Sequence, residues 1–528
     1  MFLQKMFEEI SHFTKSGKGL IFILCLSAFL KIILFTASSG KAINPDGVLY
    51  ITAAQHIYAG NFKEAINIYS MPCYSIMIAV VYLFIHNWII AGKIISLISL
   101  VLTLIPLYLL INLNFDRRSA FWGCMAFALA PFSNGFVYDI VRGPPFLFFF
   151  AWAVYFAQCA IIYKKAHFFF LTSCLFCFLI FLRIESIILI PVFFLFIIYL
   201  LISSSKKSFF FSKRLFVATI IPLLIFLLSY LFLVLQYESF NRSDYIVQEI
   251  KSLTNCQFLD NYHKIYNQLK EMEKSALYPN GKQNFVEIAR HFMPIIYFLG
   301  LLEIYLKVIF PLFIIPLFIN PANIFKKSSI LILFFIVSYI IMIYYSLIKQ
   351  DFIQSRFFIA PALLLYPFIG KGITQMLAIS RQSSKPVLFT ILFIILFYVP
   401  PVLKNAGSIE RSKSVIIEAG EWIAQNAELK DCKMITNDIR IPFYAGKKTN
   451  YSLFNLTTTD VAAREHEYVS KKVDIIVIRT SHRKKQLIPD LKHYKIAKKN
   501  IGEKKTAVIF FSDDFSKKIT KPLSNKNS

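Results

Sequence analysis

Residues 43–62 read INPDGVLYITAAQHIYAGNF and lie between two stretches that are apolar enough to enter a membrane. The first stretch ends shortly before this segment, and Asp46 stands at its edge. An ionisable group at a membrane boundary is expensive to desolvate, so its presence there is by default a hypothesis of function. The segment therefore bears on two questions: how the chain crosses the membrane, and which residues carry chemistry.

The composition excludes a soluble globular protein. Of the 528 residues, 57% are hydrophobic and 16% are aromatic, including 56 phenylalanines, and the mean hydropathy is +0.59. A soluble fold has no use for that much apolar surface. Runs of about 18–25 apolar residues match the bilayer thickness as helices, and the sequence lacks the alternating strands of a barrel. The predicted fold is a polytopic α-helical membrane protein.

The length rule predicts about eleven transmembrane helices. The run CYSIMIAVVYLFIH at 73–86 is too short to span and is predicted to lie along the interface. Lys31, inside the first span, is predicted to extend its ammonium group to the interface. The predicted spans are residues 19–37, 88–112, 119–137, 146–163, 167–182, 186–203, 215–236, 295–320, 329–348, 357–373 and 386–402.

The net charge of +27 is explained by membrane topology rather than by nucleic-acid binding. If the amino terminus is cytoplasmic, Lys and Arg concentrate in the short inner loops, for example SSSKKSFFFSKR at 203–214. The positive-inside rule requires that bias. This orientation places the first loop at 38–87 and two larger polar regions, 237–294 and everything after residue 403, on the extracytoplasmic side, together with the short outer loops between spans.

Two domains are predicted. Residues 1–402 form the transmembrane domain, and residues 403–528 form a small extracytoplasmic α/β domain that ends in a disordered tail. In the second domain SVIIEAGEWIAQNA has a helical period, while KMITN, VDIIVIRT and TAVIFF are β-branched runs typical of strands. Within the loop at 237–294, YHKIYNQLKEMEKSALY is predicted to be helical.

Charged residues from four separate loops are predicted to meet at the outer face of the membrane. There a carboxylate can take a proton while guanidinium groups hold an anionic headgroup. A lipid-linked phosphate fits such a face, because its tail remains in the bilayer. The alternative is that each charge caps a helix or lies at the level of the lipid headgroups. The four groups are Asp46 with His56 and Glu64; Asp139 with Arg142; Arg183 with Glu185; and Lys349 with Asp351 and Arg356.

Five segments occur in the order found in a known family of enzymes. They are PDGVLYITAAQHIYAGNF with the following YSMPCYSIMIAVVYLF; YDIVRGPPFLFFFAWAVYF; FLIFLRIESIILIP; QSRFFIAPALLLYP; and AGEWIAQNA with KMITNDIRIPFYAG. This order resembles the GT-C glycosyltransferases, polytopic enzymes that use polyprenyl-phosphate-linked sugars. It is similar in particular to the branch of bacterial protein O-mannosyltransferases and lipid A aminoarabinose transferases, over nearly the whole chain.

The resemblance implies a GT-C fold and an inverting transfer of a sugar from a polyprenyl-phosphate donor to an extracytoplasmic lipid, glycan or protein. Asp46 is similar to the family's catalytic aspartate and would act as the general base. Arg356, Arg183 and Arg142 would hold the donor phosphate. The implied location is a bacterial inner membrane, and the implied partners are the donor, the acceptor and membrane lipids, without nucleic acid.

The resemblance also implies roles on the acceptor side. Asp139, Glu64 and His56 are predicted to contact the acceptor or a divalent metal ion, although the histidines lack the spacing of metal ligands. The chain departs from the family's pattern at residues 71–73 (MPC), where a Pro-Pro pair is usual, and at residues 143–145 (GPP), where an acidic residue is usual.

Two other classes of protein fit the same outer charges. A lipid or small-molecule transporter, or a flippase-like protein, would use them to capture its substrate, but such proteins usually contain broken helices paired across repeated halves. A structural assembly factor with a basic outer domain would tolerate substitution of these charges.

Overall fold

The computed structural model describes most of the chain between residues 17 and 518. Helices make up the described structure up to residue 382, and a mixed α/β arrangement begins at residue 414. The described residues are 17–203, 213–236, 255, 259–274, 280–319, 327–350, 352–382, 395–396, 399–401, 403, 414–426, 429, 432–446, 451–453, 461, 464–481, 490–501 and 505–518.

The helical region contains α-helices and short 3-10 helices. The 3-10 helices are Ile184–Ile188, Leu312–Phe318 and Ser355–Phe358. The α-helices are α1 (Lys18–Ala37), α2 (Pro45–Tyr58), α3 (Phe62–Ile68), α4 (Cys73–Ile85), α5 (Trp88–Leu102), α6 (Leu104–Asn114), α7 (Arg117–Leu129), α8 (Pro131–Asn134), α9 (Gly143–Tyr163), α10 (Ala166–Leu182), α11 (Leu189–Ser203), α12 (Lys213–Gln236), α13 (Asp260–Lys274), α14 (Asn280–His291), α15 (Met293–Ile309), α16 (Lys327–Gln350) and α17 (Ile359–Gln382).

Five helical segments in the described part of the chain are long and apolar enough to cross a membrane by length and composition. The chain is therefore a mostly helical, polytopic membrane protein, but the predicted number of eleven spans is not confirmed. The predicted span at 386–402 lies largely outside the described residues. The five segments are Lys18–Ala37, Trp88–Asn114, Gly143–Tyr163, Ser329–Gln350 and Ser355–Ile379.

Prolines interrupt two of the predicted spans. In the span predicted at 119–137, α7 ends at Leu129 and Ala130 is extended before Pro131. In the span predicted at 295–320, α15 ends at Ile309 and a 3-10 helix follows Pro311. Proline lacks an N–H group and disfavours the helical conformation of the residue before it. Each run therefore begins as an α-helix and continues as a shorter element.

The prediction that Lys31 extends to the interface is wrong. Its side chain is fully buried, and its ammonium group donates to Ser27 Oγ at 3.0 Å and to Asn134 Oδ1 at 2.9 Å. Asn134 lies in α8, the short helix that follows the proline break, and its amide nitrogen donates to the carbonyl of Ala128. One acceptor from the same helix and one from the neighbouring element thus replace the oxygen atoms that water would otherwise supply, and polar groups in membrane helices commonly face the interior.

Two glycines allow α7 and α17 to pack backbone to backbone. A Cβ atom on Gly370 would lie 2.2 Å from the carbonyl oxygen of Ser119, and one on Gly123 would lie 2.8 Å from that of Tyr366. Small residues permit such close approach of membrane helices. At one end of this contact, Lys371 donates to Asp116 Oδ2 at 3.0 Å.

The carboxy-terminal region contains a five-stranded mixed sheet. Its strand order is β2-β1-β3-β5-β4, with β1 parallel to β2 and β3, and β5 antiparallel to β3 and β4. The elements are α18 (Val415–Gln425), β1 (Met434–Thr436), α19 (Arg440–Tyr444), β2 (Tyr451–Leu453), α20 (Glu465–Ser470), β3 (Ile475–Ser481), β4 (Tyr494–Ile501), β5 (Lys505–Ser512) and α21 (Asp513–Lys518).

The structure confirms the helix predicted from SVIIEAGEWIAQNA and the strands predicted from KMITN, VDIIVIRT and TAVIFF, which are α18, β1, β3 and β5. It also confirms a helix, α13, within the predicted loop at 237–294. Two edge strands, β2 and β4, were not predicted. The sequence of β4, YKIAKKNI, carries lysines, as edge strands often do, and these mask the hydrophobic alternation.

The chain divides into two compact units. The first unit comprises Met1–Ile32, Ala53–Val137 and Arg142–Ser408, and the second comprises Ile33–Thr52, Tyr138–Val141 and Ile409–Ser528. The second unit therefore contains the sheet together with two short segments from the amino-terminal part of the chain. Asp46 and Asp139 belong to these two segments.

The glycine contact between α7 and α17 predicts that Gly370→Ala destabilises the protein. A methyl group there overlaps the backbone of α7, and overpacking of this kind costs roughly 1–3 kcal/mol. Gly300→Ala in α15 is the matched control, because a Cβ atom there meets nothing within 4 Å. Thermal unfolding in detergent should give a lower midpoint for the first variant and an unchanged or higher midpoint for the second. Equal midpoints would contradict the contact.

Candidate active site

Arg142 lies at the start of α9 in the first unit, directly before a glycine and two prolines that begin the helix. Its Nη1 atom donates to the carbonyl oxygen of Leu182, the last residue of α10, at 3.1 Å, and lies 3.0 Å from Met71 Sδ. The guanidinium carbon is 5.6 Å from the centre of the Tyr69 ring. Met71 belongs to the segment MPC, which stands where the resembled family usually has a Pro-Pro pair. It thus contacts Arg142, one of the arginines predicted to bind phosphate.

Arg183 directly follows α10 in the same unit, and it contacts the predicted site segment that contains Arg356. It is 8% exposed, and Nη1 donates to the carbonyl oxygen of Arg356 at 3.5 Å. Its Nη2 atom forms an ion pair with Glu185 Oε1 at 3.5 Å. The structure therefore brings Arg183 and the backbone of Arg356 together, although 173 positions separate them in sequence.

Glu185 forms an ion pair with Arg183 and also experiences the charge of Arg142. It lies in the 3-10 helix Ile184–Ile188, between α10 and α11. Burial by itself raises the pKa of Glu185, but the positive charges of Arg183 and Arg142 outweigh burial and lower the pKa below its usual value. Its Oε2 atom is buried without a hydrogen-bond partner in the described part of the chain. One ionised carboxylate therefore lies close to two guanidinium groups.

A cavity of about 70 Å³ opens beside Arg183 and Glu185. Most of its lining is apolar, and the phenolic hydroxyl of Tyr339 adds a buried polar group. The guanidinium group of Arg356 lies over the ring of Phe357, which lines the cavity, at 5.9 Å. The apolar residues of the lining are Phe146, Met342, Ile343, Phe352, Ile353, Phe357 and Ala360.

Asp46 lies in the second unit, in the first turn of α2, and is partly buried. The segment before it contacts the segment that contains Asp139, since Asn44 Oδ1 accepts a hydrogen bond from the backbone N–H of Ile140 at 2.8 Å. A Cβ atom on Gly47 would lie 2.9 Å from Asn44 Oδ1 and 3.0 Å from Ile140 Cβ, so a larger residue would require these side chains to move. The structure thus brings together the two segments that carry the predicted carboxylates.

The remaining predicted residues, His56 and Glu64, lie in the first unit. His56 is in the last turn of α2, and Glu64 is exposed in the first turn of α3. In the described part of the chain, no group of three or more His, Cys, Asp and Glu residues could hold a metal ion. The predicted site roles of His56, Glu64, Asp139 and Asp46 remain predictions.

Sequence reasoning missed a cluster of charged residues in the second unit. Asp438 is 5% exposed and binds Arg440 through two contacts, Nε to Oδ1 at 2.8 Å and Nη2 to Oδ2 at 2.6 Å. Arg479 Nη1 lies 3.0 Å from Asp438 Oδ2. Asp438 and Arg440 follow β1 and lie in NDIRIPFYAG, a segment to which the sequence analysis gave no role for its charged residues, whereas Arg479 lies within β3.

Similarity to known proteins is found in structure rather than in sequence. No protein family and no curated protein matches the chain by sequence. The fold is that of the GT-C glycosyltransferases, polytopic membrane enzymes.

Two solved proteins represent this similarity. The oligosaccharyltransferase of Archaeoglobus fulgidus, in a complex with zinc and sulfate, matches with a TM-score of 0.57 and 12% identity, over 87% of this chain and 67% of that one. The ArnT protein of Cupriavidus metallidurans bound to undecaprenyl phosphate matches with a TM-score of 0.56 and 12% identity, over 94% of this chain and 98% of that one. At such low identity the likeness establishes the fold alone.

Asp438→Asn is expected to destabilise the second unit in a pH-dependent way. Burial raises the pKa of Asp438, but the hydrogen bonds and charge of Arg440 and the charge of Arg479 outweigh it and lower the pKa. The resulting stability is present above the unfolded-state pKa, about 3.9, and is lost as the pH falls through the lower folded-state pKa. Removing the buried partner should cost roughly 3–5 kcal/mol at neutral pH.

Thermal unfolding measured from pH 7 down to pH 3 checks this expectation. The difference between the wild type and the variant should be largest at pH 7 and should narrow in acid. Asp490→Asn, which changes an exposed carboxylate in the same region, serves as the control. A difference for Asp438→Asn that stays constant across this range would show that its ionisation does not stabilise the fold.

Proposed function

We propose that the protein is a membrane glycosyltransferase that transfers a sugar, with inversion, from a polyprenyl-phosphate donor to an extracytoplasmic acceptor. The observation that carries this proposal is the group of arginines around Glu185, beside an apolar cavity in the first unit. The likeness to a protein solved with undecaprenyl phosphate, and to an archaeal oligosaccharyltransferase solved with dolichol phosphate, supports the same donor class.

The chemistry of this group favours an anionic ligand. The positive charges of Arg183 and Arg142 lower the pKa of Glu185, and Arg183 also bonds to the backbone of Arg356. A guanidinium group presents five N–H donors in a fixed planar geometry. Phosphate accepts such donors in pairs. Arg356, whose side chain is exposed and whose guanidinium group lies over the Phe357 ring, is proposed to contact the phosphate.

The apolar lining beside the arginines fits the other part of the donor. A polyprenyl phosphate joins a charged headgroup to a hydrocarbon chain, so its site must change from polar to apolar over a few ångströms. Arg183 and Glu185 line the same cavity as Phe146, Ile353 and Phe357. We therefore assign the phosphate to the arginine side and the first prenyl units to the phenylalanine side.

In the proposed reaction, Asp46 is the general base. The acceptor nucleophile attacks the anomeric carbon of the sugar, its proton passes to the Asp46 carboxylate, and the bond between the anomeric carbon and the phosphate oxygen breaks. The electron pair of that bond remains on the phosphate, which gains negative charge as it leaves. Arginine donors that strengthen their hydrogen bonds as this charge develops lower the barrier. Attack opposite the leaving group inverts the anomeric configuration.

The location and acceptor belong to the same proposal. We place the reaction on the extracytoplasmic side of a bacterial inner membrane, with the amino terminus in the cytoplasm, on the basis of the positive-inside rule. A related oligosaccharyltransferase is solved with a tethered acceptor peptide, which supports an acceptor for this chain without specifying its class. Asp139, Glu64 and His56 are proposed to contribute on the acceptor side.

The function is tested by incubating the purified protein with radiolabelled polyprenyl-phosphate sugars. A transferase should release labelled sugar by slow hydrolysis or transfer it to an added acceptor. A transporter should instead move the labelled lipid between the leaflets of a vesicle without breaking the bond, and an assembly factor should do neither. Intact donor after prolonged incubation with envelope extracts would therefore reject the proposal.

Asp46→Asn is expected to lower the transfer rate by roughly 10²–10⁴-fold, the usual contribution of a general base. The amide keeps the size of the carboxylate, so the protein should remain folded and inserted. Glu303→Gln is the control, because Glu303 is an exposed carboxylate paired with Lys307 in α15. Full activity of Asp46→Asn in the labelled-sugar assay would remove Asp46 from the mechanism.

Arg356→Gln is the cleaner test of phosphate binding, because its side chain is exposed whereas Arg183 is buried and paired with Glu185. Loss of one donor to a developing oxyanion costs roughly 10²–10³-fold in rate. We expect turnover to fall by about that factor, with weaker binding of undecaprenyl phosphate and an unchanged unfolding temperature. Lys307→Gln, an exposed cation elsewhere, should leave all three quantities unchanged.

A further inference from the structure

We propose that Arg440 and Tyr444, in the carboxy-terminal sheet region, are positioning residues that hold the segment carrying Asp46 in its reactive orientation. The inference rests on the proposed role of Asp46 and extends it to residues that contact neither sugar nor phosphate. Both residues lie in α19 or at its start, within the segment NDIRIPFYAG. All the residues that carry the argument belong to the second unit.

The contact between the two regions is centred on Ile43, three positions before Asp46. Its backbone N–H donates to Tyr444 Oη at 3.1 Å, and its backbone carbonyl accepts from Arg440 Nη1 at 3.3 Å. The side chain of Ile43 is fully buried. Both polar groups of one peptide residue are therefore held by side chains from a segment 397 positions away.

Arg440 is itself held rigidly. Asp438 accepts two of its N–H groups in a fork, and both residues are at least nine-tenths buried. A bidentate pair of this kind fixes the plane of the guanidinium group. The remaining Nη1 atom is the one that reaches Ile43, so its direction is set by the Asp438 carboxylate rather than by solvent.

Tyr444 is fixed by close packing of α18 against α19. A Cβ atom on Gly420 would lie 2.5 Å from Tyr444 Cβ and 3.0 Å from the carbonyl oxygen of Ile441. A glycine at this position lets the two helices approach each other. The tyrosine ring packs against the core cluster formed by α18 and one face of the sheet, so its hydroxyl cannot follow a displaced loop.

Two further contacts hold the same loop. The backbone N–H of Ser414 donates to the carbonyl oxygen of Gly40 at 3.0 Å. The side chain of Ala42 is buried in the core cluster that contains residues of α18, β1, β3 and β5. The segment 40–43 therefore enters the hydrophobic core of the sheet region, and α2 starts immediately after it with Asp46 in its first turn.

These contacts matter because catalysis depends on the placement of the base. A misplacement of about 1 Å can lower a rate by roughly 10²-fold even when the mutated residue is far from the reacting atoms. Residues that lock a catalytic side chain through its backbone have this effect without touching the substrate. Loosening Ile43 should therefore reduce turnover while leaving the binding of the donor phosphate to the arginines of the first unit unchanged.

Tyr444→Phe tests the inference, because it removes one hydroxyl and keeps the ring packing. We expect kcat to fall roughly 10- to 100-fold, with little change in KM for the polyprenyl-phosphate donor. Tyr494→Phe is the matched control: its hydroxyl also makes one hydrogen bond in the same unit, to the carbonyl of Val473 at 3.0 Å. Tyr494 lies in the other core cluster, on the opposite face of the sheet.

Amide hydrogen exchange provides a readout that does not depend on activity. In Tyr444→Phe the peptide covering Gly40–Asp46 should exchange faster than in the wild type, whereas Tyr494→Phe should leave that peptide unchanged. Arg440→Lys, which keeps the charge but loses the fork, should increase exchange in the same peptide. This measurement remains valid if the wild-type protein transfers no sugar, a result that would reject the proposed function alone.

Three outcomes would overturn the inference. Tyr444→Phe could retain wild-type kcat, it could lose activity only to the same extent as Tyr494→Phe, or it could leave exchange in Gly40–Asp46 unchanged. A selective fall in kcat with faster exchange in that peptide supports positioning, because a general loss of stability would affect both tyrosine variants alike.

Discussion

Three arginine side chains, two in the first unit and one in the second, each donate a hydrogen bond to the backbone carbonyl of a segment that is remote in sequence, and these bonds hold the segments that carry predicted site residues. Arg142 donates to the end of α10, Arg183 donates to the 3-10 helix before α17, and Arg440 donates to the loop before α2. Carbonyl groups at helix ends and in buried loops have no partner within their own element, and leaving them unpaired is costly. A guanidinium group reaches such a carbonyl from another element and keeps further N–H groups for a second partner.

The ability of a guanidinium group to bind more than one partner connects the structure with the proposed chemistry. Arg142 and Arg183 each donate to the carbonyl of a neighbouring segment, and their charges lower the pKa of Glu185. In the proposed function these arginines also bind the donor phosphate, while its hydrocarbon chain enters the cavity of Phe146 and Phe357. Lysine could not replace either arginine, because an ammonium group lacks the planar fork that serves two partners in fixed directions. Under this proposal, stability and phosphate binding depend on one set of side chains.

The loop before α2 shows how a late part of the chain can control an early one. Ala42 is buried among residues of the carboxy-terminal sheet region, and Ile43 is bonded by both of its backbone polar groups. The compact unit formed by the sheet consequently includes residues Ile33–Thr52. A domain boundary near residue 403 divides the chain by sequence position. The loop before α2 precedes that boundary, but it packs into the core around α18 and α19.

Sequence alone determined the class of protein, the position of most helices, three strands of the sheet and the residues of interest at the ends of apolar runs, because hydropathy, periodicity and charge are local properties. The helix ends next to Pro131 and Pro311 also follow from the local sequence, but the length rule used to predict the spans did not consider proline. Only the tertiary structure decided that Lys31 turns inward to Asn134 and that Arg440 bonds the loop beside Asp46. Such contacts join residues 103 and 397 positions apart, and their geometry arises from the packing of whole elements rather than from any pattern that neighbouring residues carry.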